Sequence, residues 1–201
     1  MSVYDLKPRF QALLRPAVRR LAAAGLTANQ VTWAALVLSA AAGALVAVRP
    51  DLGWPLLVVP GVLLVRMALN AVDGMLAREH GHASPAGALL NELADVASDA
   101  ALYLPLAFVA GVRPQVVVAL VLVAALTELA GVLGPTIGAS RRYDGPMGKS
   151  DRALVLGLLF LALGCGAEAG MWTNLVLLAV TLLAAWTVWR RCARALAEVR
   201  T

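Results

Sequence analysis

Apolar residues run through this chain in long blocks separated by short polar patches. Six blocks are long enough to matter: roughly Gln30–Val48, Leu52–Leu76, Ala86–Gly111, Pro114–Ile137, Arg152–Gly166 and Trp172–Trp189, with ends good to ~4 residues. A crossing of the hydrocarbon core takes about 20 residues as a helix. The pattern therefore predicts an all-α integral membrane protein with six transmembrane helices. Ahead of them, Tyr4–Ala24 reads "YDLKPRFQALLRPAVRRLAAA" and mixes apolar residues with Lys7, Arg9, Arg15, Arg19 and Arg20. Such a segment suits an amphipathic helix lying in the headgroup layer. This divides the chain into a juxtamembrane segment, 1–25, and one membrane domain, 26–201.

Composition agrees. Of 201 residues, 61% are hydrophobic and 14% charged, and the mean hydropathy is +0.79. A soluble domain is closer to half apolar and a quarter charged. The first apolar run is too long for a cleavable signal peptide and lacks a clear cleavage site. Two cysteines cannot build a disulfide framework, and Cys165 and Cys192 are expected near opposite faces of the membrane.

Charge sets the orientation. With both termini in the cytoplasm, the inner segments hold Lys7, Arg9, Arg15, Arg19, Arg20, Arg78, Arg141, Arg142, Lys149, Arg152, Arg190, Arg191, Arg194 and Arg200, fourteen of the 17 basic residues. Arg49 and Arg113 fall outside, and Arg66 inside a span. This follows the positive-inside rule and points to a bacterial inner membrane with an anionic cytoplasmic leaflet. Nothing suggests nucleic acid, because basic and aromatic residues are not interleaved.

The stretch Arg66–Ala100, "RMALNAVDGMLAREHGHASPAGALLNELADVASDA", is polar where the surroundings are apolar. At 100° per residue, Arg66, Asn70, Asp73 and Ala77 share a stripe of the second span. Asn91, Asp95 and Asp99 repeat every four residues on the third, with Glu92 beside them. Buried carboxylates are costly unless paired or bound to metal. A cluster of acidic and amide oxygens suits hard cations, Mg²⁺ or Mn²⁺, which keep positions open for phosphates. Gly74 permits close approach of a ligand, and Arg78 offers a planar donor fork for phosphate. The local chemistry reads as metal-assisted handling of a phosphate ester at the inner leaflet. Arg66 lies about 10 Å deeper than Asp73, and Asp99 about 12 Å deeper than Asn91. The two are therefore expected to pair, with Glu92 or Glu128 as other partners for Arg66.

These residues resemble the CDP-alcohol phosphotransferase (CDP-alcohol phosphatidyltransferase) signature, D-x2-D-G-x2-A-R-x8-G-x3-D-x3-D. The chain reads Asn70, Asp73, Gly74, Ala77, Arg78, Gly87, Asn91 and Asp95, every spacing intact. "LTANQVT", Leu26–Thr32, resembles the family's entry into its first span, and "GPMGKSD", Gly145–Asp151, its basic loop before span five. The resemblance implies a CDP-diacylglycerol-type lipid as donor and a small alcohol as acceptor, with CMP released. It also implies one or two divalent ions, Mg²⁺ or Mn²⁺, held at Asn70, Asp73, Asn91 and Asp95, and Asp95 as general base. Asn29, Gly74, Ala77, Arg78, Ser84 and Gly87 would form the CDP-lipid site, and the family is commonly homodimeric. The first and third motif aspartates are Asn70 and Asn91 here, which removes two formal negatives. An active variant with altered metal use or acceptor and an inactive relative are the two readings this leaves.

Other signals are weaker. Arg141, Lys149 and Arg152 are candidates for holding an acceptor phosphate, against a plain positive-inside bias. His80 and His82 read as solvated loop residues rather than metal ligands. Glu128 lies mid-span and either lines the cavity or pairs with Arg66. A non-catalytic lipid or metal binder of the same fold is the alternative function. An ion or proton transporter fits less well, because the acids gather in the cytoplasmic half.

Overall fold

The computed structural model describes residues 3–200, and side chains over 10–200. The side chains of Lys7 and Arg9 lie outside that set. The described chain is helical throughout: α1 (Val3–Ala23), α2 (Ala28–Val48), α3 (Gly53–Glu79), α4 (Pro85–Tyr103), α5 (Pro114–Leu133), α6 (Lys149–Gly164) and α7 (Met171–Val199). Short 3₁₀ segments continue α4 over Leu104–Phe108 and α5 over Gly134–Ile137.

Local sequence explains the helix starts. Thr27 accepts the Gln30 backbone N–H at 3.3 Å, and Gln30 Oε1 accepts the Thr27 N–H at 2.9 Å, a reciprocal cap that opens α2. Ser84 accepts the Gly87 N–H at 3.0 Å and Pro85 follows it, so α4 starts there. The expected third apolar block is divided, because α4 ends at Tyr103 and Pro105 cannot donate to a continuing α-ladder.

Among the described residues, four helical segments are long and apolar enough to cross a membrane: Ala28–Val48, Gly53–Glu79, Pro114–Ile137 and Met171–Val199. The two remaining expected spans are weaker by these measures. α4 carries Asn91, Glu92, Asp95 and Asp99. α6 has 16 residues, about 24 Å at 1.5 Å per residue, against a core of about 30 Å.

α2 packs against α3 and α4, α3 against α6, and α5 against α7. The main core joins Val46, Leu63, Leu102, Leu120, Phe160 and Leu177, with neighbours from every helix but α1. Large apolar residues such as Leu64, Leu122, Leu158 and Leu182 stay exposed on the outside. That arrangement is costly in water but natural in lipid tails. A second, smaller cluster seats α1: Val18 is buried against Val31, Val72, Met75 and Leu76. Arg15 Nη2 meets Glu79 Oε1 at 2.9 Å beside it. α1 is thereby tied to the end of α3 that carries the polar stripe.

Candidate active site

The α3–α4 hairpin places the two polar stripes side by side. Asp73 is buried, and Thr32 Oγ1 of α2 lies 3.1 Å from both its Oδ2 and the Ala28 carbonyl. Asn70 Nδ2 donates to Asp95 Oδ1 at 3.2 Å. Asn91 is half-buried one turn before Asp95 on α4. The Arg78 guanidinium folds back over Gly74 so closely that a Cβ there would stand 2.9 Å from Nη2. Ala77, half-buried, precedes it on the same turn. Across the hairpin, a Cβ on Gly87 would meet Asn29 Oδ1 at 2.7 Å and Ser84 Oγ at 3.0 Å. Gly74 with Arg78, and Gly87 with Asn29 and Ser84, thus form two close-fitting clusters, in which the polar ends of these side chains lie directly against the helix backbone.

Deeper in, Asp95 and Asp99 sit one turn apart on α4, between α3 and the start of α6. Arg66 Nη1 donates to Asp99 Oδ1 at 2.5 Å, and Nη2 donates to the Asp95 carbonyl at 2.9 Å. Nη2 also stands 3.6 Å from Asp95 Oδ1. From α6, Lys149 Nζ pairs with Asp95 Oδ1. Arg152 Nη2 donates to Asp99 Oδ2 at 3.2 Å and to Glu128 Oε1 at 2.8 Å. Arg152 Nη1 bonds Thr127 Oγ1 at 2.7 Å and the Met147 carbonyl at 3.2 Å. Arg191 of α7 donates to the Thr127 carbonyl and stands 3.9 Å from Glu128 Oε2. Arg66, Asp99 and Arg152 are 3%, 5% and 0% exposed. Ions this enclosed persist because each has several partners; removing one partner of such a pair typically costs about 3–5 kcal/mol.

Arg141, Lys149 and Arg152 do not form one basic cluster. Arg141 holds Glu92 through two bonds, 2.5 and 3.0 Å, and covers the Tyr143 ring at 5.2 Å. Lys149 reaches Asp95, and Arg152 is enclosed beneath. Glu92 and Glu128, the other partners considered for Arg66, are taken by Arg141 and Arg152. Beyond Arg141, Asp144 accepts from Arg142 Nε at 2.9 Å and Arg194 Nη1 at 2.5 Å. Partial burial pushes its carboxyl up, but these two guanidinium hydrogen bonds outweigh burial and hold it below its ordinary range. The reading of the sequence missed Thr32 as a partner of Asp73. The signal was present, since Thr32 follows Asn29 by three residues on the first turns of α2.

The donors suit a hard divalent ion: two carboxylates, Asp73 and Asp95, and two amides, Asn70 and Asn91. Among the described residues, no three His, Cys, Asp or Glu converge as a metal cluster, so the two carboxylates are the charged donors and the amide oxygens the further side-chain donors at hand. Asn70 turns its NH₂ toward Asp95, and its oxygen becomes a ligand only after the amide rotates.

A family model described as CDP-alcohol phosphatidyltransferase matches residues 25–189. The chain belongs to that family. It is 45% identical over 194 residues to Inner membrane protein YnbA of Escherichia coli, spanning 96% of this chain and 95% of that protein. It is 32% identical over 100 residues to Archaetidylinositol phosphate synthase of Aeropyrum pernix, 49% of this chain and 51% of that one. Among solved structures, Mycobacterium tuberculosis phosphatidylinositol phosphate synthase with CDP-DAG bound shares the fold at TM-score 0.69 and 20% identity, covering 92% of each chain. The same enzyme in complex with manganese and citrate gives TM-score 0.70 at 20% identity, covering 92% of this chain and 88% of that one. The apolar helices and the kinship to an inner membrane protein make this an integral membrane protein.

Proposed function

We propose that this protein transfers a phosphatidyl-type group from a CDP-activated lipid, such as CDP-diacylglycerol, to the hydroxyl of a small alcohol, releasing CMP. One observation carries the reading. The two close-fitting glycine clusters, Gly74 with Arg78 and Gly87 with Asn29 and Ser84, stand at the same hairpin as the Asp73 and Asp95 carboxylates. A diphosphate needs such close backbone approach beside donors, and an attacking hydroxyl needs a carboxylate within hydrogen-bond reach.

Asp95 is the base. Asn70, Lys149 and Arg66 all approach its Oδ1, so Oδ2 is the oxygen assigned to the proton of the alcohol. The alcohol oxygen forms a bond to the phosphorus that carries the lipid. The bond from that phosphorus to the bridging oxygen breaks, and CMP leaves with the electron pair. Arg78, with Asn29 and Ser84, orients the CDP group, with Ala77 and Gly87 beside them on the two helices. Thr32 steadies Asp73. Asp73, Asp95, Asn70 and Asn91 would hold Mg²⁺ or Mn²⁺, which when bound supplies charge to polarise the phosphoryl oxygens. Arg141 stands nearer the surface, where it suits a phosphate on the acceptor. Arg66 and Asp99 form the floor.

The membrane placement follows the same reading. α4 with its 3₁₀ continuation and α6 complete six spans, and α1 lies along the inner surface of a bacterial inner membrane. Both termini are cytoplasmic, and the working unit is a homodimer. The test is incubation of purified protein with labelled CDP-diacylglycerol, Mn²⁺ or Mg²⁺ and a panel of alcohols, identifying the lipid product by mass. Release of CMP with a new phospholipid is expected. A folded protein that binds the lipid but releases no CMP with any alcohol would instead be the non-catalytic binder that Asn70 and Asn91 leave open.

A further inference from the structure

Lys149 is placed with unusual care for a lysine at the first position of a helix. The loop before it turns through Gly145 at φ +119°, a left-handed conformation that favours glycine. A Cβ on Gly145 would stand 2.4 Å from Thr187 Cγ2. The Met147 N–H donates to Thr187 Oγ1 at 3.0 Å, and the Gly148 N–H to Asp151 Oδ2 at 2.9 Å. α6 then opens at Lys149, half-buried, with its ammonium on Asp95 Oδ1. The Asn70 amide donates to that same oxygen.

The charges around this contact are already assigned. Asp99 faces Arg66 and Arg152, and Glu128 faces Arg152 and Arg191. Asp73 and Asp95 are the acids at the four motif positions, since Asn70 and Asn91 are neutral. Two negatives less the Lys149 positive leave one negative, and the network beneath, three guanidiniums to two carboxylates with Arg66 Nη2 3.6 Å from Asp95 Oδ1, cancels it. One divalent ion takes that local sum to two positive, and a second would take it to four in a half-buried, membrane-embedded setting, where uncompensated charge is expensive. An ammonium is also a compact point charge with three donors, able to face a phosphate oxygen as an ion would.

We propose that the Lys149 ammonium is a resident cation of this site, so that the protein binds one divalent ion per chain rather than two. The inference rests on the phosphatidyl-transfer reading above and deepens it: Lys149 belongs to the charge balance of the diphosphate site rather than to the acceptor. It explains together the amides at positions 70 and 91 and a lysine aimed at the proposed base.

The test counts ions in purified, detergent-solubilised protein by the electron paramagnetic resonance signal of free Mn²⁺ during titration. The wild type is expected to bind one Mn²⁺ per chain. Lys149→Met should bind a second ion, or hold the first at least tenfold more tightly; Lys149→Arg, which keeps the charge, should bind one. Asn70→Asp with Asn91→Asp should also raise the count to two. A wild type that binds two ions or none overturns the proposal, as does a folded Lys149→Met that titrates like the wild type. CMP release from CDP-diacylglycerol is followed on the same wild-type preparation. Two ions with CMP release would sink the resident cation alone. A single ion with no CMP from any alcohol would sink the transferase reading while the ion count stood.

Discussion

Asp95 and Tyr103 show two opposite ways a polar group lives in this interior. Asp95 is surrounded by donors on Oδ1 and assigned a proton on Oδ2. Asp95→Asn keeps the shape and can still accept from Lys149 and Asn70 through its amide oxygen, while Arg66 keeps the backbone carbonyl. It is therefore expected to remain folded and membrane-inserted while CMP release falls to background, and near-normal turnover would remove Asp95 from the role of base. Tyr103 is 0% exposed and its hydroxyl has no hydrogen-bond partner among the described residues. A buried, unsatisfied hydroxyl carries a desolvation cost of about 1–3 kcal/mol. Tyr103→Phe removes it at constant shape, so the thermal midpoint in detergent should hold or rise. A fall of several degrees would mean that the hydroxyl has a partner such as a water.

At the scale of elements, the α2–α4 contact depends on one missing side chain. A Cβ on Gly43 would lie 1.8 Å from the Ala101 carbonyl oxygen. Backbones this close are a membrane packing device, and here they bring the helix carrying Asn29 and Thr32 against the helix carrying Asp95. Gly43→Ala must push the two apart and should cost about 1–3 kcal/mol, the usual range for overpacking. Gly61→Ala is the control: a Cβ there meets nothing within 4 Å among the described residues, and alanine is the better helix former, by about 0.8–1 kcal/mol. Thermal melts in detergent should separate the two variants in opposite directions; equal losses would argue against backbone contact. The loop between α5 and α6 makes a prediction about acid. The Asp144 carboxyl is held below its ordinary range, so its contribution to stability is full above the unfolded value of about 3.9. That contribution is lost as pH falls through the lower folded value. Asp144→Asn should flatten the acid limb of a plot of thermal midpoint against pH, and an unchanged limb would show that Arg142 and Arg194 do not depend on this carboxylate.

Across the whole molecule, five helices meet in one ionic network. Asp99 joins α4 to Arg66 on α3 and Arg152 on α6. Glu128 on α5 shares Arg152, and Arg191 on α7 reaches both Glu128 and the Thr127 carbonyl. Asp99→Leu strips a partner from two buried guanidiniums and should cost about 3–5 kcal/mol. Arg66→Leu alone leaves Asp99 to Arg152. The double change Arg66→Leu with Asp99→Leu should recover part of the summed losses but not all of them, because Arg152 loses one of its two carboxylates and keeps Glu128. Thermal stability of both singles and the double decides it: strictly additive losses would show that the two side chains are not coupled.

Much of this was legible in the order of residues. The apolar blocks and the polar stripes are periodic, and periodicity survives in a linear string. The helical class, the hairpin bearing Asn70 through Asp95, and the depth match between Arg66 and Asp99 all follow from counting along helices of known rise. Polar residues inside apolar blocks also mark where chemistry sits, since a membrane tolerates them only with partners or function. What stayed hidden is which partner each charge takes across the fold. Arg152 reads as a candidate for an acceptor phosphate or a plain inner-face cation, yet it is fully enclosed because its guanidinium reaches Asp99 on α4 and Thr127 and Glu128 on α5. Lys149 likewise reads as an acceptor-phosphate candidate or one more positive-inside residue, yet the loop through Gly145 and Thr187 sets it on Asp95. Sequence patterns determine faces and depths, because these depend on one helix at a time. Tertiary structure decides the pairing of charges, because that depends on the distance between side chains from helices far apart in the chain, where a shift of a few ångströms makes or breaks a hydrogen bond.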